Sequence, residues 1–83
     1  MIILKIAKAV ALRIYNLCEE NNITVNKLCT LAGVTQSTVN NIVHENSKNP
    51  GIVTIKKLCD ALNITIQDFF ETELFKDLEQ ELE

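Results

Sequence analysis

The 83-residue sequence has little glycine or proline and few aromatic residues. It contains two glycines, one proline, no tryptophan and only four aromatic residues, although hydrophobic residues make up 47% of the chain. This balance suits packed helices better than a sheet with many tight turns. Since a chain this short supports one modest core, we expect a single all-α domain.

The chain also lacks a long hydrophobic run. The apolar residues 1–4 are followed by Lys5, Lys8 and Arg13, and this start falls far short of the roughly 20 apolar residues that span a bilayer. No small-residue cleavage pattern follows, so a secretory signal is not predicted. We therefore expect a cytoplasmic protein.

The cysteines favour neither a disulfide framework nor a metal site. Cys18, Cys29 and Cys59 are odd in number and far apart, and each follows a leucine in an apolar helical pattern. Zinc ligands are normally two to four residues apart, a spacing that is absent here. Buried free thiols are the expected interpretation, while the sequence alone leaves open a cysteine paired with His44. We predict no cofactor, no metal and no small-molecule ligand. We also predict no enzymatic activity, because a phosphate-binding loop and paired carboxylates are missing from the sequence.

The net charge of −3 hides a separation of charge along the chain. Residues 1–67 contain seven basic and four acidic side chains, whereas residues 68–83 contain seven acidic and one basic. Because basic groups drive binding to phosphates, the first part suits a nucleic-acid partner better than the average suggests. The acidic tail either points away from such a partner or keeps a small protein in solution.

The apolar spacing and the capping residues predict five helices. These are Lys5–Asn21, Val25–Ala32, Gln36 to about His44, a fourth from Ile52 to Leu62, and a fifth that starts after Thr65 and includes Phe69 and Phe70. Gly33 is expected to end the second helix in the left-handed conformation and Thr35 to cap the third. Only Val34 separates Gly33 from Thr35, so the turn between the two helices is short. Two short helices joined by a short turn that contains glycine form the helix-turn-helix pattern.

The outward face of the third helix carries the candidate functional residues. At 100° per residue, Val39, Ile42 and Val43 share the core-facing side. The rest of the surface is rich in amides and hydroxyls, which hydrogen-bond to base edges in the major groove; a merely solvated face is the ordinary alternative. These residues are Gln36 at the helix start, Ser37, Asn41 and His44 on the opposite face, and Thr38 and Asn40 on the flanks.

Contacts to phosphate are expected around this face, because the face itself has almost no charge. Backbone amides at the starts of the second and third helices can meet phosphates. The neighbouring polar residues are Thr24, Asn26, Thr38, Asn46, Ser47 and Lys48. So sparse a set predicts a shallow salt dependence and modest affinity per monomer.

Four segments together carry a family resemblance: TVNKLC at residues 24–29, AGVTQSTV at 32–39, NP at 49–50 and LCDALNIT at 58–65. From about Leu12 to Phe70 the chain resembles the Cro and phage-repressor (XRE) helix-turn-helix family. The resemblance implies a lambda-repressor-like five-helix domain that binds operator DNA as a dimer. It also implies base-reading positions for Gln36, Ser37 and Asn41.

Three departures from the family pattern are visible. Val25 stands where a glutamine that contacts phosphate is common. Cys18 and Val43 stand where many members have an Arg–Glu ion pair. Because both residues are apolar, neither leaves a buried charge without its partner. Asn63 stands where glycine is usual.

We therefore interpret residues 1–70 as a helix-turn-helix DNA-binding domain and residues 71–83 as an acidic, amphipathic helical extension. The predicted function is sequence-specific binding of double-stranded DNA by a transcriptional regulator, most simply a repressor. The alternative is an antitoxin-type interaction module of the same fold that binds a basic protein partner such as a toxin. A homodimer is expected, through residues 1–4 or through the stripe Leu74, Phe75, Leu78 and Leu82; both could instead pack on their own subunit.

Overall fold

The computed structural model describes residues 3–44 and 49–82. Its helices are α1 Ile6–Glu20, α2 Val25–Ala32, α3 Gln36–Val43, α4 Ile52–Leu62 and α5 Ile66–Phe70, followed by a short 3-10 helix, Glu73–Phe75. The five predicted helices are confirmed. None of the helices in the described part has the length and apolar character needed to cross a lipid bilayer.

Each α-helix contributes one apolar face to a shared core. Ile14 of α1, Leu28 of α2, Val39 of α3, Leu58 of α4 and Phe69 of α5 each expose 1% of their surface or less. Full burial of such a side chain stabilises the fold by about 1.5–3 kcal/mol. Because α3 shares this core, its rotation about its own axis is fixed by packing.

The three cysteines are buried free thiols, as predicted. Burial raises the pKa of Cys18, Cys29 and Cys59, and the neighbouring Cys29 raises the pKa of Cys18 further. Since the thiolate is the reactive form, a raised pKa makes a thiol a poor nucleophile at neutral pH. These cysteines therefore serve as small core residues.

Three of the four connections between helices repeat one local structure. A residue in the left-handed conformation ends one helix, an apolar residue packs against the core, and a threonine side chain caps the next helix. The triplets are Asn22-Ile23-Thr24, Gly33-Val34-Thr35 and Asn63-Ile64-Thr65. In each, the N–H of the apolar residue donates to a carbonyl five residues back, at 3.0–3.2 Å, which is the Schellman arrangement.

Arg13 connects α1 to the end of α5. Its Nε donates to the carbonyl of Phe69 at 2.7 Å and its Nη2 to the carbonyl of Asp68 at 2.8 Å. The last carbonyls of a helix have no partner within the helix, and a positive charge there is also favoured by the helix dipole. The guanidinium carbon lies 6.0 Å from the centre of the Phe69 ring. Arg13 thus caps α5 and holds it on α1.

The C-terminal extension is not the continuous helix that its apolar stripe suggested. After Glu73–Phe75 the chain continues without helix and meets the N-terminal segment, where Leu78 pairs with Leu4 and the Glu79 N–H donates to the Leu4 carbonyl at 2.7 Å. The Phe75 ring packs 4.9 Å from the Phe70 ring. A short isolated helix is marginal in water, so these tertiary contacts outweigh the local helical pattern.

Replacing Arg13 by methionine keeps an apolar stem but removes both donors to α5. We expect the free energy of unfolding to fall by about 1–3 kcal/mol, the usual cost of leaving polar groups without partners. Urea unfolding followed by circular dichroism measures this. Lys57→Met is the matched control, because Lys57 is exposed and has no ion pair within residues 3–44 and 49–82; equal stability of the two variants would contradict the role of Arg13.

Asp68 makes the stability depend on pH. Its carboxylate accepts from the Thr65 N–H at 3.1 Å, while its own N–H donates to Thr65 Oγ1 at 2.9 Å. These bonds to Thr65, and then the charge of Arg13, lower the pKa of Asp68 below its ordinary value of 3.8. The stabilisation is therefore complete above about pH 5 and is lost as the pH falls through the lowered pKa. Asp68→Asn should be less stable than the wild type at pH 6 and should approach it near pH 2 in urea unfolding; a constant difference would contradict this assignment.

Candidate nucleic-acid interface

The two sides of α3 differ in burial and in chemistry. Val39, Ile42 and Val43 are 0%, 2% and 6% exposed, so the side predicted to face the core does so. Ser37 and Asn41 lie on the opposite, exposed side. The core contacts therefore turn the polar side of α3 outward.

The exposed polar residues of α3 and its C-terminal end form one continuous surface, here named the α3 outer surface. It comprises Gln36, Ser37, Thr38, Asn41 and His44, all exposed, with the half-buried Asn40 at its edge. The side chains of Gln36, Asn41 and His44 form no hydrogen bond or ion pair with any other residue in the described ranges. No described residue therefore occupies the hydrogen-bonding groups of these three side chains.

Three hydroxyls are clustered at the start of α3. Thr35 Oγ1 accepts from the Thr38 N–H at 3.3 Å and lies 2.7 Å from Thr38 Oγ1 and 3.4 Å from Ser37 Oγ. A hydroxyl has one proton and two lone pairs, so these contacts restrict how each of the three can point. The start of α3 thus presents Ser37 and Thr38 in a partly fixed orientation.

The start of α2 is also exposed and polar. Thr24 Oγ1 accepts from the Lys27 N–H at 3.0 Å, and Asn26 and Lys27 are exposed in the first turn. Sequence reasoning overlooked Lys27 as a candidate. It is the only charged residue of α2 and α3, and it has no ion pair within the part of the chain that the structure describes.

The predicted contacts Asn46, Ser47 and Lys48 lie outside the described residues. Contacts from this loop therefore remain a prediction, whereas the candidate residues at the starts of α2 and α3 lie within the described ranges and are exposed. Among the described residues, no three His, Cys, Asp or Glu side chains cluster in a way that could hold a metal ion.

Gly33 ends α2 and begins the turn that leads to α3. Its φ of 69° and ψ of 30° lie in the left-handed region. A Cβ placed on Gly33 would meet no atom within 4 Å. Glycine is therefore favoured here by backbone conformation and not by lack of space.

The chain is similar to known proteins in both sequence and fold. The family model described as the Cro/C1-type HTH DNA-binding domain matches residues 13–74. A solved structure, the crystal structure of the prophage Lp1 protein 11, matches with a TM-score of 0.80 and 36% sequence identity, over 92% of this chain and 100% of that chain. No curated protein matches the sequence significantly.

Gly33→Ala should destabilise the protein by about 1–2 kcal/mol, because a Cβ disfavours the left-handed backbone. Gly33→Asn should cost less, since Asn22 and Asn63 adopt the same conformation in this chain at φ 56° and 59°. Thermal or urea unfolding of both variants tests this. Equal losses for alanine and asparagine would show that the cost arises from something other than the backbone.

Proposed function

Since the chain belongs to the Cro/C1-type helix-turn-helix DNA-binding family, we propose that it is a sequence-specific transcriptional regulator that inserts α3 into the major groove. The α3 outer surface is the observation that carries this proposal. It is exposed, contains no Asp, Glu, Lys or Arg, and is rich in groups that both donate and accept hydrogen bonds. Base edges in the major groove are distinguished by such groups.

We assign base reading to Gln36, Ser37 and Asn41. An Asn or Gln amide can bind the N6 and N7 edge of adenine with two hydrogen bonds, and a serine hydroxyl can serve several bases. Ser37 and Asn41 are four residues apart and so lie on one stripe of α3. The short side chains on this stripe allow the helix to approach the bases closely.

Contacts to the DNA backbone come from the rim of this surface in the proposed complex. The first backbone amides of α2 and α3 suit phosphates, and helix starts favour negative charge. The side chains assigned to this rim are Thr24, Asn26, Lys27, Thr38, Asn40 and His44, with Asn46, Ser47 and Lys48 as sequence-based candidates. With so few cations, binding should depend only weakly on salt.

A homodimer and a repressor are the simplest form of this function. One α3 reads only a few base pairs, whereas two copies related by a two-fold axis read half-sites about 34 Å apart. Occupying an operator is sufficient to block transcription. Repression therefore needs no surface beyond those that bind DNA and the second copy.

Asn41→Ala should weaken discrimination at one base pair by about 1–3 kcal/mol, because it removes a two-point contact. Sequence selection from a pool of random duplexes, followed by gel shift on the selected duplex and its single-base variants, measures this.

Lys27→Ala should instead weaken binding to all sequences and lower the slope of log affinity against log salt concentration by about one. Gln80→Ala, an exposed amide outside α3, should change neither.

Two results would contradict the proposal. Unchanged selectivity of Asn41→Ala would show that α3 is not placed as assigned. A wild-type chain that selects no sequence from the pool would favour the interaction module that binds a basic protein.

A further inference from the structure

The hydroxyl of Thr35 makes more contacts than a helix cap requires. It accepts from the Thr38 N–H at 3.3 Å, as an N-cap does, and it also lies 2.7 Å from Thr38 Oγ1 and 3.4 Å from Ser37 Oγ. Thr24 caps α2 in the same way, accepting from a backbone N–H at 3.0 Å, but its hydroxyl contacts no other hydroxyl in the described part of the chain. The two hydroxyl contacts of Thr35 are therefore additional to capping.

The protons of Thr35 and Thr38 can be arranged in two ways. A hydroxyl has one proton and two lone pairs, and the Thr38 N–H already takes one lone pair of Thr35. In the first arrangement Thr35 donates to Thr38 Oγ1, and the Thr38 proton is left for another acceptor. In the second, Thr38 donates to Thr35 and keeps only lone pairs for a ligand. Because 2.7 Å is the usual length of an O–H···O bond, Thr38 is held in one of these two arrangements.

A phosphate beside Thr38 is compatible only with the first arrangement. The oxygens of a DNA phosphate are ionised and accept hydrogen bonds without donating any, so Thr38 must offer its proton to bind one. Thr38 is exposed and belongs to the α3 outer surface, on the rim that is assigned to the DNA backbone. Hydrogen bonds in series polarise one another, so donation from Thr35 makes Thr38 a stronger donor.

We propose that Thr35 is a positioning residue for DNA binding, which donates its proton to Thr38 so that Thr38 donates its own proton to a backbone phosphate. This inference rests on the DNA-binding function proposed above, and in it Thr35 acts through Thr38 without touching DNA. Ser37 Oγ, at 3.4 Å from Thr35 Oγ1, is beyond the range of a strong bond and is held only weakly. The cluster thus combines an oriented phosphate donor, Thr38, with an adaptable base-reading group, Ser37.

A double-mutant cycle, measured by gel shift on the selected duplex at fixed salt, tests the coupling of Thr35 to Thr38. Aspartate is a good N-cap, but its carboxylate has no proton, so Thr35→Asp makes Thr38 donate inward. Thr38→Val should lower affinity about tenfold, because it removes one bond to a charged acceptor. Thr35→Asp should lower affinity about 30-fold alone but only about threefold in the Thr38→Val background, where the added charge is the remaining cost.

Thr24→Asp is the matched control for this charge. It adds the same carboxylate at another threonine cap, one whose hydroxyl has no hydroxyl neighbour in the described ranges. Its cost should be about threefold with or without Thr38→Val. Thr35→Ser keeps both the cap and the proton, so it should rescue the binding that Thr35→Asp loses. Circular dichroism of each variant checks that the helices are retained.

Duplexes with one uncharged methylphosphonate at a time identify the phosphate. At one position the substitution should weaken binding of the wild type and of Thr35→Ser about tenfold. The same substitution should have little further effect on Thr38→Val or Thr35→Asp, because their bond to this phosphate is already absent. A general loss of stability would not single out one phosphate in this way.

Equal costs of Thr35→Asp with and without Thr38→Val would overturn the inference, and so would full binding by Thr38→Val. In either case the proposed function stands if the wild type selects a sequence and Asn41→Ala relaxes that selection. A wild-type chain that binds no duplex would overturn both the inference and the proposed function.

Discussion

The burial of Val39, Ile42 and Val43 is the constraint on which the surface of α3 depends. These residues lie in the same core as Ile14 and Leu28, so α3 cannot rotate without exposing apolar side chains or burying amides that lack partners. Serine, threonine and asparagine form helices poorly, so α3 owes its stability to this packing and to its capped start. The core thereby holds in place a polar surface that local propensity would not favour.

The parts of the fold that the sequence predicts well are those with local causes. A left-handed residue, an apolar residue and a capping threonine recur at 22–24, 33–35 and 63–65, and each triplet both ends one helix and starts the next. Asparagine at two of these positions and glycine at the third can all adopt the left-handed conformation. The helix-turn-helix and the two faces of α3 follow from such signals, because every interaction involved spans only a few residues.

The parts that sequence reasoning missed depend on contacts between distant segments. Arg13 reaches carbonyls 55 and 56 residues away, and no local pattern marks an arginine as the cap of a remote helix. The stripe from Leu74 to Leu82 has helical spacing, yet Leu78 meets Leu4 instead. Ile52 is a related case, since it fits the apolar pattern of α4 and only the packing shows that it is 61% exposed and outside the core.

The contacts that orient α3 are apolar, whereas charged side chains make the contacts that attach α5. Cys18 of α1 and Val43 of α3 are 4% and 6% exposed in the common core, so the contact of these helices with the core is apolar at both positions. Apolar packing responds little to salt and pH, whereas ionic contacts are screened and titrate. Arg13 and Asp68 place such contacts at α5 instead. Changes in ionic strength should therefore affect the attachment of α5 more than the orientation of α3.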